Sequence, residues 1–401
     1  MKPIQLLSPK SSQRPNFSIL PPLGLYIHLP WCVRRCPYCD FNAHVAPEVI
    51  PEDDFFRALQ IDLEQALPDI WGRSIISVFF GGGTPSLMSA AFIDRVISMV
   101  RAYLPLAQGA EITLEANPGA SEAGRFADYA QAGVNRLSIG VQSFNDDVLQ
   151  KIGRIHDAHQ AQQAIYAALA AVDRVNIDLM YALPGQSVED CLKGVHRAID
   201  SGATHLSIYQ LMLEPNTVFA KYPPELPREE DSAAMHDQII DTVTDIGFEH
   251  YEVSAFAKHK HYGAHNMNYW SFGDYLGIGP GAHSKISFPH SITRMARTRN
   301  PQVWMQQALQ GQGKQVSERY EVKATELPFE FMLNVLRLKD GVPYEYFTAR
   351  AGLGGQWISK AIQQAVDKGL MEDRFDRICA TELGWRFLTD LQTLFLSTQE
   401  S

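Results

Sequence analysis

From residue 23 to about residue 254, short apolar runs alternate with longer stretches in which apolar residues recur every three or four positions. The short runs predict strands at 24–28, 75–80, 111–115, 136–141, 175–179 and 205–211. Between them, Phe55, Leu59, Leu63 and Ala66 share one helical face, and Phe92, Val96, Met99 and Tyr103 share another. A later helix through Met235, Ile239, Val243 and Ile246 leads to a short strand at 251–254. Strands alternating with helices predict an α/β fold of parallel strands with crossover helices, either an open doubly wound sheet or a full or partial barrel. We favour the partial (β/α) barrel. Functional residues in that architecture sit on loops after strand C-termini, which is where the polar motifs of this chain fall.

Beyond Gln302 the rhythm stops. Helical runs at 327–338, 344–350 and 357–368 precede a polar turn, a strand-like run at 377–380 and a last helix at 383–396. The chain thus divides into an N-terminal tail over 1–22, a βα unit with its extension over 23–300, and a smaller C-terminal unit over 301–401.

Composition narrows the class. The chain has 401 residues, 45% hydrophobic and 20% charged, as a globular protein with a sizeable core requires. A net charge of -10 and the lack of a basic stripe disfavour nucleic acid as a partner. Residues 1–22 lack a secretory pattern and no apolar run is long enough to span a bilayer, so we expect a soluble cytoplasmic protein, with a peripheral membrane contact left open. Five cysteines, three of them in one loop, are no disulfide framework and fit a reducing cytosol; Cys191 and Cys379 read as buried spares.

The three clustered cysteines carry the chemistry. After the first strand and Pro30 come Cys32, Cys36 and Cys39, spaced CxxxCxxC. Thiolates on one short loop suit a soft metal centre, and iron-sulfur clusters normally take four such ligands. Three leave one iron open, as catalytic metal sites leave a position for substrate. The competing readings are a zinc site completed by His28 or His44, and an ordinary loop with small buried cysteines.

Polar motifs follow the later strands. GGGTPS at 81–86 lets backbone approach a ligand closely, and it lacks the Lys-Ser/Thr ending of a phosphate loop. Glu115 lies in LEANPG, Gln142 in GVQSFN, Arg154 in KIGRIH and Asp178 in NIDLMYALPGQ. Carboxylates suit hydroxyls or an amine, and a guanidinium suits a carboxylate. Singly each reads as a cap or loop ion pair. Together, each at or beyond a strand end, they converge on one mouth.

Tyr26, the CxxxCxxC run, GGGTP, ExNP, GVQSF, IGRIH and NIDLMYALPGQ together resemble the radical S-adenosylmethionine (radical SAM) superfamily, in the branch containing oxygen-independent coproporphyrinogen III oxidase. The resemblance covers nearly all of the chain. It implies a partial radical SAM barrel with a small winged-helix-like C-terminal α domain. It also implies a [4Fe-4S] cluster on Cys32, Cys36 and Cys39, with SAM chelating the open iron and cleaved by one electron to a 5′-deoxyadenosyl radical. The implied SAM pocket is Tyr26, Gly82, Gly83, Thr84, Glu115, Gln142, Arg154 and Asp178. Gly82 to Thr84 and Glu115 are expected near the methionine amine, Arg154 on its carboxylate, and Gln142 and Asp178 near the ribose.

Two features separate the branches. The oxidase typically carries a further cysteine two positions after the third ligand, where this chain has Phe41. HNMNYW at 265–270, followed by YLGIGPGAHS, is similar to the HNxxYW motif of the oxidase's heme-chaperone relatives, which implies heme binding with His265 as the ligand. A neutral imidazole can ligate heme iron, and aromatic rings can cover a macrocycle. His283 is a second, lower-ranked ligand. The resulting expectation is a heme chaperone that binds cluster, SAM and heme and passes heme to an acceptor protein, rather than a turnover enzyme. The alternatives are the decarboxylating oxidase itself and a DNA-binding regulator using the C-terminal domain, which the excess of acids there disfavours.

Overall fold

The computed structural model describes residues 14–119 and 123–396. Six parallel strands lie side by side in chain order: β1 Leu23–Leu29, β2 Ile75–Gly82, β3 Leu106–Ala116, β4 Arg136–Gln142, β5 Arg174–Tyr181 and β6 His205–Gln210. The segments between successive strands carry helices: α1 Glu52–Ile70, α2 Ala90–Tyr103, α3 Phe126–Ala132, α4 Ala158–Ala171 and α5 Val188–Asp200. Each of the six strands falls where the apolar runs place it. Several helix starts are locally encoded. Ser89 caps α2, Asp157 and Gln160 form a capping box on α4, and Ser187 caps α5.

The strand pattern explains why this sheet curves around a site. One face of each strand is apolar and packs under the helices: Leu25 and Ile27, Val78 and Phe80, Ile112 and Leu114, Leu137 and Ile139 are all buried there. The alternate positions are unusually polar for buried parallel strands, which normally read as continuous apolar runs. Tyr26, Ser77, Thr113, Glu115, Arg136, Ser138, Asn176 and Asp178 occupy that second face. The strands therefore form an open, partial barrel with a polar interior.

After α6 Glu229–Asp245 the sheet grows at both ends. β7 Glu249–Glu252 and β8 Ala255–Ala257 add antiparallel beyond β6. The helix α7 Ala264–Trp270 precedes β9 Asp274–Ile278, which pairs parallel with β1. Three antiparallel strands then extend that edge: β10 His283–Phe288, β11 Ser291–Arg297 and β12 Val316–Glu321. The resulting sheet has twelve strands. The sequence reading missed β10 to β12, and β12 lies past the expected boundary at 300 while still pairing with the main sheet. The single strand expected at 251–254 is the pair β7 and β8.

A second core forms from Val322 onward, around α9 Leu327–Val335, α10 Glu345–Ala351 and α11 Ser359–Asp367; α8 Pro301–Leu309 packs instead on α1. Val342–Pro343 pairs with Arg377–Ile378 as the small wing of this winged-helix-like unit. The last helix expected at 383–396 is two short ones, Glu382–Arg386 and Leu388–Thr393. Of the expected tail, residues 1–13 lie outside the described residues. Residues 14–22 are a strap: Phe17 joins the second core, and the Asn16 N–H donates to Gly352 O at 2.8 Å. Residues 397–401 of the C-terminal unit are likewise outside the described residues. No described helix is long and apolar enough to cross a membrane.

Candidate functional site

The cysteine loop is closed by backbone. Trp31–Cys32 pairs parallel with His44–Val45, the His44 N–H donating to Pro30 O at 2.7 Å and the Ala46 N–H to Cys32 O at 2.8 Å. The glycine-rich turn after β2 docks against the start of this loop, through Gly83 N–H to Leu29 O at 2.8 Å and Thr84 N–H to Trp31 O at 2.7 Å. The approach needs glycine. A Cβ on Gly83 would lie 2.6 Å from Trp31 O, and Gly82 has a φ of +119° with the His28 ring 2.6 Å from where its Cβ would be.

All five cysteines are free. Cys32 is buried and its Sγ accepts from Thr84 Oγ1 at 3.4 Å. Cys36 and Cys39 are half-buried, and Arg154 Nη1 lies 3.8 Å from Cys36 Sγ. Burial pushes the Cys32 thiol up and the Cys39 thiol up to about 11. Both candidate fourth ligands of a zinc site are engaged elsewhere. The two His28 ring nitrogens meet Tyr26 OH at 3.1 Å and Asn42 O at 3.0 Å, and His44 Nε2 meets Asn42 Oδ1 at 3.3 Å. Among the described residues no three His, Cys, Asp or Glu side chains are gathered as around one metal ion.

Next to the thiols runs a polar chain that the sequence reading only partly anticipated. Arg154 Nη2 donates to Asn117 Oδ1 at 2.7 Å and to Gly140 O at 2.6 Å, while Asn117 Nδ2 donates to Thr84 Oγ1 at 3.0 Å. Asn117 thus ties the arginine beside Cys36 to the threonine on Cys32. It is the Asn of the ExNP motif, so its signal was in the sequence. Among the described residues Glu115, two residues earlier, accepts only the Gly82 N–H at 3.2 Å and has no ion-pair partner. Burial, reinforced by the nearby Asp178 carboxylate, pushes its carboxyl up to about 8. Asp178 is also raised by burial, against donors on Ser138 at 3.0 Å and Asn176 at 2.8 Å. Gln142 ends β4 in the left-handed region, with φ +67°, and its Oε1 accepts from Tyr209 OH at 3.2 Å. Tyr26 stands between the two halves, with Phe79 stacked 6.1 Å away and Glu115 close enough to act on its hydroxyl.

The HNMNYW stretch forms α7, which lies across the opposite end of the barrel interior. Glu111 on β3 accepts from the first N–H groups of that helix, Ala264 at 3.0 Å and His265 at 3.2 Å, and pairs with Arg174 at 3.0 Å. His265 points inward. Its Nδ1 lies 3.1 Å from Ser77 Oγ, and its ring centroid is 4.9 Å from that of Phe79 and 6.3 Å from that of Tyr26. Nε2 takes no hydrogen bond among the described residues. Burial drives the imidazole down to about 4, so it is neutral at physiological pH. The motif's aromatic residues face elsewhere. Trp270 packs on the second core under Arg337, and Tyr269 packs on Tyr275. His283 is exposed on β10, and Phe41 is 61% exposed beside the cysteines.

The interior thus brings together Tyr26, Gly82, Glu115, Gln142 and Asp178, with Gly83, Thr84 and Arg154 joining it to the thiols and His265 closing its far side. Residues missed from the sequence are Asn117, Asn42, Glu111 and Arg136. Glu111 and Arg136 are buried and Asn42 half-buried by partners far along the chain.

An open βα barrel with a three-cysteine loop after its first strand and a glycine-rich turn after its second defines a radical SAM protein. Residues 26–197 match the Radical SAM superfamily and residues 322–387 match the HemN C-terminal domain. The chain is 44% identical to the heme chaperone HemW of Escherichia coli (strain K12), over 94% of this chain and 99% of that one. It is 36% identical to the mitochondrial radical S-adenosyl methionine domain-containing protein 1 of Danio rerio, over 86% and 79% of the two chains. The solved coproporphyrinogen III oxidase (HemN) from Escherichia coli superposes with a TM-score of 0.79 at 22% identity, covering 94% of this chain and 90% of that one. The chain belongs to the HemW family of radical SAM heme chaperones.

Proposed function

We propose that the protein is a heme chaperone: it holds a [4Fe-4S] cluster on Cys32, Cys36 and Cys39, binds SAM beside it, takes heme at His265 and hands it to an acceptor protein. The observation that carries this reading is the inward-facing, neutral His265, with Nδ1 on Ser77 and Nε2 left for a ligand. The donor types fit the cluster, because three free thiols share one short loop whose two neighbouring imidazoles, the candidates to complete a zinc site, are already hydrogen-bonded. Bound there, the cluster would supply one-electron chemistry.

The chain's own residues then sort by chemistry. Glu115 is a buried carboxyl with no ion-pair partner among the described residues, so it suits the SAM ammonium, with the Gly82 to Thr84 backbone beside it. Arg154 holds Cys36 and Asn117 and presents its remaining N–H groups to the SAM carboxylate. Gln142 and Asp178, partnered only by neutral donors, suit ribose hydroxyls. Tyr26 lies between this pocket and His265. Five free thiols fit a reducing cytosol.

Anaerobic reconstitution followed by separate additions of SAM and heme, read by absorption and EPR, tests the reading. A cluster signal perturbed by SAM and a Soret band on adding heme are expected. Catalytic conversion of coproporphyrinogen III to protoporphyrinogen would make the protein an oxidase instead.

A further inference from the structure

Inside the barrel, the floor carries one more cation than its anions use. Glu111 is the only carboxylate that pairs with a guanidinium there among the described residues, and its oxygens are taken by Arg174 at 3.0 Å and by the N–H groups of Ala264 and His265. Arg174 is further fixed by donating to Tyr262 O at 2.5 Å. Arg136, the first residue of β4, is 3% exposed and reaches Glu111 only through Nε at 3.9 Å, beyond hydrogen-bond distance. Its guanidinium donates no hydrogen bond among the described residues. A buried guanidinium has five donors and no means of neutralising itself, so donors without acceptors are costly.

Its position says what it faces. In register, Arg136 lies beside Thr113 on β3 and follows the row Tyr26, Phe79, Thr113 on the interior face. Thr113 Oγ1 is buried without a partner among the described residues. The charge of Arg136 acts on Glu115 and Asp178 of the proposed SAM pocket and on Glu111 and His265 by α7 alike. Gly263, just before α7, leaves Arg136 Nη2 3.6 Å from where a Cβ would be. A fixed guanidinium whose one ion pair is long and whose donors make no hydrogen bond among the described residues, next to a hydroxyl also without one, is a carboxylate receptor.

We propose that Arg136 binds a carboxylate inside the barrel, and that the carboxylate is a propionate of the heme held at His265. The proposal rests on the heme reading above. It makes Arg136 the residue that distinguishes a free-acid tetrapyrrole from an esterified or apolar one.

The test uses the full chain with its cluster reconstituted, titrated with ferric heme and with heme dimethyl ester and followed by the Soret band. Wild type is expected to bind heme about tenfold or more tightly than the ester, the size of one charge-assisted contact. Arg136→Gln should lose that preference by weakening heme to the level of the ester, Arg136→Lys should restore part of it, and SAM affinity measured by equilibrium dialysis should stay unchanged. Equal affinity of wild type for heme and ester overturns the proposal and leaves Arg136 solvated by water alone. Weaker SAM binding by Arg136→Gln with the heme preference intact overturns it too, assigning the cation to the SAM carboxylate. If neither tetrapyrrole gives a Soret shift with wild type, the heme reading itself has failed. Should Arg136→Gln not fold, the wild-type comparison of heme with its ester still decides.

Discussion

Ser77 Oγ and His265 Nδ1 lie 3.1 Å apart across the barrel interior, and this contact fixes which face of the imidazole is left for a ligand. A hydrogen bond on one ring nitrogen orients the other, as in other histidine ligand sites. Ser77→Ala is therefore expected to weaken heme binding by a few-fold, consistent with about 0.5–1.5 kcal/mol for a neutral hydrogen bond. Titration of heme into the two proteins checks this, with SAM affinity as the control that should not move.

Glu115→Gln separates stability from binding. With its carboxyl raised from 4.5 to about 8, the folded ligand-free protein holds a proton that the unfolded chain releases. Stability is then lost as pH rises from about 4.5 toward 8, by up to ~1.4 kcal/mol per unit. Removing the group should flatten that slope, so that the variant is more stable than wild type at pH 8 in ligand-free denaturant melts. The same variant should bind SAM at least about tenfold more weakly, since a charged contact is lost. Wild type should release a proton on binding SAM at pH 7, measurable by calorimetry in buffers of different ionisation enthalpy.

Glu111 behaves oppositely. Burial alone would raise its carboxyl, but Arg136, Arg174 and the two N–H groups of α7 overcome that and hold it below the ordinary range. Its contribution is present above the unfolded pKa and is lost as pH falls through the folded one. Glu111→Ala leaves buried arginines uncompensated and is expected to cost about 3–5 kcal/mol. Thermal melts should show the loss at pH 7 and a smaller difference from wild type in acid.

Gly83→Ala tests the docking of the glycine-rich turn on the cysteine loop. With Trp31 O only 2.6 Å from the new methyl, one of the two segments must move. Reconstituted iron content should fall well below wild type, while Gly72→Ala, whose Cβ would meet nothing, should leave it intact despite its φ of +73°.

How much of this was legible depended on where each partner lay. The cysteines, the glycine-rich turn and Glu115, Gln142 and Asp178 are read locally, because each motif overlaps the C-terminal part of its own strand or follows it directly. Strands β10 and β11 were not, because their charges look solvent-facing in sequence, and β12 is an exposed edge strand without an apolar face. Lys285 and Arg297 are in fact buried on Asp274 at 2.9 Å and Asp62 at 3.3 Å, partners that only the folded sheet supplies. The same holds for Asn42, which joins the cysteine loop to the turn after β9 through Pro280 O at 3.0 Å. His265 was found by its motif, but its aromatic neighbours were expected on a macrocycle, whereas Trp270 belongs to the second core and Phe79, outside the motif, is the ring beside it.

The proposed function requires that the interior His265 takes heme in a protein whose three-cysteine loop holds the cluster. Heme titration of reconstituted wild type and His265→Ala, with iron content and melting temperature matched, tests it most directly. A saturable Soret band is expected in wild type, shifted and weakened in the variant, with the cluster signal unchanged. An identical band and affinity in both proteins would contradict it.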